Sequence, residues 1–116
     1  MKQNLLLVIL LLFATPLSAQ ERDSRADFAQ CLAEKGATLY VADWCPWCAK
    51  QLDAFGPSGK EALNVVHCHD GRHDEKACAS ANVRAIPLWT FKDGTRLLGL
   101  QDSETLSKHS GCPLPE

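Results

Sequence analysis

Apolar positions divide the chain into one long run near the start and a series of short segments after it. Leu5 to Ala14 read LLLVILLLFA, with Lys2 before the run and Pro16 and Leu17-Ser18-Ala19 after it. The run is about 10 residues, whereas a membrane span needs roughly 20. A basic start, a short apolar stretch and a small-residue end form the layout of a secretory leader, with cleavage expected near Ala19. Gln20, not a cysteine, follows that point, so a lipidated N-terminus is not indicated. The expected organisation is a signal peptide at 1–19 and one domain at 20–116.

Beyond the leader the pattern alternates between helical and strand periods. Ser24-Arg25-Ala26-Asp27 reads as a capping box, and Phe28, Cys31, Leu32 and Lys35 then share one helical face. Gly36 is a stop, and 37–43 (ATLYVAD) has strand character. A helix is expected from about Cys45 to Phe55, because Pro46 is tolerated only in a first turn. Gly56-Pro57 ends it, 58–63 reads as a polar connection, and 64–68 (NVVHC) as a strand. A polar turn at 69–73 leads to a short helix at 74–81 that holds Cys78. Two strands, 88–91 and 96–100, flank Lys92-Asp93-Gly94-Thr95, where Asp-Gly is a hairpin signal. Ser103 caps a last helix that ends at Gly111.

The predicted order is α-β-α-β-α-β-β-α. A βαβ unit followed by a hairpin and a closing helix implies an α/β fold with a mixed sheet and helices on both faces. The strands on either side of the 45–55 helix should be parallel, joined by a right-handed crossover. With 116 residues the chain has room for a single core.

Composition adds constraints of its own. Loss of Lys2 with the leader takes the formal charge from −2 to −3, too weak and too acidic for a nucleic-acid surface. No run of like charges suggests a membrane patch. All six cysteines (Cys31, Cys45, Cys48, Cys68, Cys78 and Cys112) follow the leader. An even count behind a secretory signal implies an oxidising compartment and disulfides. Periplasmic or secreted localisation follows as an expectation.

Trp44-Cys45-Pro46-Trp47-Cys48 carries the chemistry. A sulfur at a helix start meets unpaired backbone N–H groups and the positive end of the helix dipole, and both stabilise a thiolate. Thiolate is the attacking species in disulfide exchange. Cys45 is therefore assigned as nucleophile, and Cys48, lying under it, as the residue that resolves the mixed disulfide. A CxxC pair is also half of many zinc sites. Cys68 and Cys78 do not supply a second pair at matching spacing. Trp47 is expected to be exposed beside a substrate groove, Trp44 partly buried, and Trp89 in the core. His67, His69 and His73 surround Cys68, a combination that could take copper or zinc but also suits a solvated loop. His109 is placed as a helix C-terminal residue facing the dipole. Ile86-Pro87 falls about 40 residues after the motif, and taken alone reads as an ordinary strand-start proline.

Trp44-Cys45-Pro46-Trp47-Cys48 together with Val83-Arg84-Ala85-Ile86-Pro87-Leu88-Trp89-Thr90-Phe91-Lys92-Asp93-Gly94 resembles the thioredoxin superfamily, over nearly all of the chain after the leader. That resemblance implies a thioredoxin-like fold with a mixed four-stranded central sheet flanked by helices. It also implies a cis-Pro87 facing the active sulfurs, with Ile86 offering its backbone to an extended substrate; Trp44, Pro46 and Trp47 complete the implied substrate surface. FAQCLAEKGATLY, WCPWCAKQLDAFG, the valine-rich strand ending in Cys68, Cys78 before a valine, IPLW and the final SGC are similar to the thioredoxin-like domain fused to vitamin K epoxide reductase homologues. In those proteins the domain exchanges disulfides with a membrane partner. The resemblance implies the pairings Cys31–Cys112 and Cys68–Cys78. It also exposes a departure. Thioredoxin keeps a buried acid six residues before its first cysteine, where this chain has Leu39. Proton transfer from Cys48 must then use water or another group. The middle residues Pro46-Trp47 carry no charge, so the reduction potential is not readable.

The function expected from these readings is a thiol–disulfide oxidoreductase that needs no bound cofactor and acts as a monomer. Its partners would be cysteine-containing secreted proteins or a membrane redox protein of the vitamin K epoxide reductase type, not nucleic acid. The direction of electron flow is open. Two rival readings are a metal-binding or metal-delivery module built on Cys68, His67, His69 and Cys78, and a disulfide-stapled binding domain with an inert CxxC.

Overall fold

The computed structural model describes residues 23–68 and 75–116. The expected leader at 1–19 and the histidines His69 and His73 lie outside the described residues. Nine elements follow in order: α1 (Ser24–Glu34), β1 (Thr38–Val41), α2 (Pro46–Asp53), α3 (Gly56–Ala62), β2 (Val65–His67), α4 (Glu75–Ser80), β3 (Leu88–Thr90), β4 (Arg96–Leu98) and α5 (Ser103–Ser110). The four strands form one sheet in the order β2-β1-β3-β4. β1 and β2 are parallel, and β1–β3 and β3–β4 are antiparallel. This is the expected α/β architecture, a mixed four-stranded sheet flanked by helices and thioredoxin-like in layout.

The period of two along the strands separates the two sides of the sheet. Leu39, Val41 and Trp89 enter a core with Phe28, Leu32, Phe55 and Leu106, contributed by α1, the α2–α3 junction and α5. The intervening Tyr40 and Leu88 join Cys68 and Cys78 in a second cluster, against which Ala81 and Val83 pack. Leu39, Tyr40 and Val41 are all buried, as expected of a central strand covered on both faces. Phe28 stacks on Phe55 at 6.1 Å, and Phe55 tilts against Trp89 at 6.0 Å.

One element departs from the sequence reading. Residues expected as a polar connection form α3, which Gly56-Pro57 opens as well as closing α2. Pro57 stands in the first turn of α3, where its missing N–H costs nothing. Gly56 takes a φ of +69°, and a Cβ there would lie 2.6 Å from the Arg25 guanidinium. A Cβ at Gly59 would lie 2.8 Å from Cβ of Phe55 and 3.4 Å from the Arg25 carbonyl oxygen. α3 therefore packs on α1 through glycines and presents no hydrophobic stripe.

The caps differ by one residue from expectation. Asp23, not Ser24, caps α1 by accepting from the N–H groups of Arg25 and Ala26. Asp102, not Ser103, caps α5 by accepting from the Thr105 N–H at 2.8 Å. A carboxylate at the N-cap also meets the helix dipole favourably, which a hydroxyl does less well. His109 stands in the last turn of α5, its ring 5.9 Å from that of Phe91.

Candidate functional site

Cys45 is the N-cap of α2, with extended backbone, and Pro46 holds the first helical position. The Cys45 sulfur accepts a hydrogen bond from the Cys48 N–H at 3.2 Å. That N–H is one of the helix-start donors without an intrahelical partner. Cys45 and Cys48 are joined as a disulfide, their Cα atoms 5.2 Å apart. Cys45 is 6% exposed and Cys48 1%, so the cap sulfur belongs to the more accessible residue.

The surface around this pair is apolar and open. Trp47 is 56% exposed, and the Lys50 ammonium lies 4.5 Å from its ring centroid. Trp44 is 65% exposed, which corrects the expectation of partial burial. It stands in the turn between β1 and α2, where the sheet no longer covers it. Trp44 and Val83, Arg84, Ala85 and Ile86 line one depression of about 270 Å³. The Ile86–Pro87 peptide bond is cis, and Ile86 packs against the core cluster that contains Cys45 and Cys48. Pro87 is fully buried, and its carbonyl accepts from the Gly99 N–H at 2.8 Å. The chain thus brings Trp44 and the 83–86 segment together beside the cysteine pair.

The remaining four cysteines lie elsewhere. Cys31 of α1 is bonded to Cys112 after α5, with Cα atoms 5.9 Å apart, and Cys68 at the end of β2 to Cys78 of α4, at 6.1 Å. A metal site at Cys68 and Cys78 would need thiolates, and here both sulfurs are committed to each other. Among the described residues, no cluster of three or more His, Cys, Asp or Glu side chains is arranged to hold a metal ion.

Two features of the site lie outside the sequence reading. Gln51 of α2 is a fully buried polar side chain. Its Oε1 accepts from Trp89 Nε1 at 3.0 Å and from the Gln101 N–H at 2.7 Å, and its Nε2 donates to the Gln101 carbonyl at 3.1 Å. These bonds tie α2 to β3 and to the β4–α5 connection. The signal available in sequence was weak: Gln51 sits on the inward face of α2, three residues after Cys48. The second feature is a cavity of about 150 Å³ lined by Cys45, Cys48, Ala42, Asp43, Asp53, Lys60 and His67 among others. Within it His67 Nδ1 is 3.4 Å from Asp43 Oδ1, and Lys60 Nζ is 3.3 Å from Asp53 Oδ1. Leu39, in the position where thioredoxin has its acid, is buried in the apolar core.

No family model matches the chain. Over 86 residues it is 31% identical to the thiol-disulfide oxidoreductase LTO1 of Arabidopsis thaliana. The aligned stretch is 70% of this chain but 23% of that protein, so the chain spans less than a quarter of the relative's length. The protein is therefore similar, over most of its length, to part of a thiol–disulfide oxidoreductase.

Proposed function

We propose that the protein is a protein thiol–disulfide oxidoreductase in which Cys45 attacks and Cys48 resolves. The observation that carries this reading is the cysteine pair at the start of α2, with Cys45 as the cap and two exposed tryptophans beside it. A reduced Cys45 would hold its negative charge against the Cys48 N–H and the dipole of α2. The similarity to LTO1 supports the same chemistry. Trp44, Pro46, Trp47, Ile86 and Pro87 form the surface against which an extended cysteine-containing peptide would lie. The leader-like N-terminus and the six cysteines favour a periplasmic or secreted setting. Secreted cysteine proteins, or a membrane redox protein of the vitamin K epoxide reductase type, are the partners this reading calls for.

Trapping separates the two roles. Cys48→Ser should accumulate mixed disulfides with a cysteine peptide, visible by mass spectrometry, because the resolving thiol is gone. Cys45→Ser should accumulate none, because Cys48 is covered. Equal trapping by the two variants would remove the assignment.

A further inference from the structure

The cavity beside the cysteine pair supplies what Leu39 cannot. The resolving Cys48 is 1% exposed, and a buried thiol gives up its proton only to a group that can reach it. Cys48 and Cys45 line the 150 Å³ cavity together with Asp43, Asp53, Lys60 and His67. A space of that size is large enough for several waters. Among these four side chains the proton acceptor can be chosen by chemistry. Lys60 is an ammonium, paired at 3.3 Å with Asp53. Asp43 and Asp53 are exposed carboxylates, one against His67 and the other paired with Lys60, unlike the buried acid of thioredoxin. An imidazole, near 6.5, is the group matched to proton transfer at neutral pH. His67 is also held in place. It ends β2, in register with Val41 of β1, and Asp43 Oδ1 lies 3.4 Å from its Nδ1.

We propose that His67, supported by Asp43, exchanges the proton of Cys48 through this cavity; the proposal rests on the oxidoreductase reading above. During reduction of a disulfide substrate, Cys45 is joined to the substrate sulfur. The Cys48 thiol gives its proton to His67, and the Cys48 thiolate attacks the Cys45 sulfur. The Cys45–substrate bond breaks as the Cys45–Cys48 bond forms. The electron pair leaves on the substrate thiolate, which takes up a proton, and the imidazolium returns its own to solvent. Oxidation of a dithiol substrate runs the same steps backwards, with the His67 imidazolium protonating the departing Cys48. His67 is thus a proton-transfer residue acting through the cavity, and Asp43, 3.4 Å from its Nδ1, a positioning residue. The charged side chains facing His67 across the cavity, among the described residues, are Asp43 beside it, Asp53 at the end of α2 and Lys60 of α3.

The test uses the reduced protein and a cysteine peptide activated as its 2-pyridyl disulfide. Attack by Cys45 releases thiopyridone in a first phase; resolution by Cys48 releases the peptide thiol in a second. In the wild type the second phase should stay fast at pH 7, where few unassisted thiols are ionised. In His67→Gln it should follow an unassisted thiol near 8.5, making it about 30-fold slower at pH 7, with the first phase unchanged. Asp43→Asn keeps the imidazole but removes the carboxylate that lies 3.4 Å from it, so its second phase at pH 7 should fall between those of the wild type and His67→Gln. His67 is half-exposed at a strand end, and His67→Asn repeats the test should the glutamine variant fold poorly. A second phase with the same pH profile in the wild type and both His67 variants overturns this proposal and leaves the oxidoreductase reading intact. Absence of the first phase overturns both.

Discussion

α2 and α5 begin in the same way and end with different tasks. Each is eight residues long, and each has an extended N-cap residue whose side chain accepts from the N–H three positions on. At α5 the acceptor is the Asp102 carboxylate; at α2 it is the Cys45 sulfur. The Thr105 backbone hydrogen bond holds the Asp102 carboxyl below its ordinary value, with a further contribution from the Thr105 side chain. One molecule therefore shows what this cap geometry does to an acid. At α5 the effect only secures a helix end. At α2 the same arrangement bears on a thiol, where favouring the anion creates a nucleophile. The α5 cap looks onto solvent, whereas the α2 cap lies beside exposed tryptophans and above a buried second sulfur.

The two helices are also anchored differently, and that difference can be broken. The end of α5 is tied to α1 through Cys31–Cys112, closing a separation of 81 residues. Cys31→Ser with Cys112→Ser should cost about 4.5 kcal/mol by the loop-entropy account, against about 2.7 kcal/mol for loss of the Cys68–Cys78 link. Urea denaturation measures both, and mixed-disulfide formation by Cys45 should persist in either variant while it remains folded. An equal cost for the two links would show that loop length does not set their contribution.

α2 is anchored by polar contacts instead. Gln51→Leu keeps an apolar side chain in the space but leaves Trp89 Nε1 and the Gln101 N–H without an acceptor. The expected cost is about 2 kcal/mol, read from the same denaturation curves. A neutral or stabilising outcome would mean that the apolar replacement repacks well enough to offset the lost bonds.

The smallest effect concerns the α5 cap itself. Asp102→Ala should lower the melting temperature at neutral pH. Because the folded-state pKa of Asp102 is depressed below its ordinary 3.8, the stabilisation is complete above that value and is lost as pH falls through the lower folded value. The gap between wild type and alanine variant should therefore close on strong acidification. Asp102→Asn should keep the cap and show no such pH dependence. A gap that persists unchanged in acid would place the contribution elsewhere than in the carboxylate.

The fold was legible where burial is written in apolar side chains. β1 and β3 announce themselves through Leu39-Tyr40-Val41 and Leu88-Trp89, and Pro46 marks the start of α2 because few other positions in a helix accept it. α3 was not legible, because its inward residues are Gly56 and Gly59 and a contact made by absent side chains leaves no hydrophobic period. The caps were misplaced by one residue because serine and aspartate are both good caps, and the adjacent pairs Asp23-Ser24 and Asp102-Ser103 offer both. Trp44 was misjudged for a related reason: size and apolarity suggest burial, and only the turn geometry shows that nothing covers it. The placement of the cysteine pair at the start of α2 could be read from its spacing and its proline. The cavity behind it could not, since His67, Asp43 and Lys60 are far apart in sequence and meet only through the β1–β2 register and the fold of α3 against α1.

The Cys31–Cys112 bridge also decides how the domain carries force. Ser24 Oγ donates to the carbonyl of Glu116 at 2.7 Å, so the beginning of α1 and the residues after Cys112 lie side by side. Tension applied through the chain before α1 and the chain after Cys112 would run along α1 to Cys31, across the sulfur bridge and out again. The polypeptide between those cysteines, with the sheet and the Cys45–Cys48 pair, hangs from that path as a closed loop and bears no load. A tether at either end, whether to a surface or to another domain, would leave the exchange site mechanically slack.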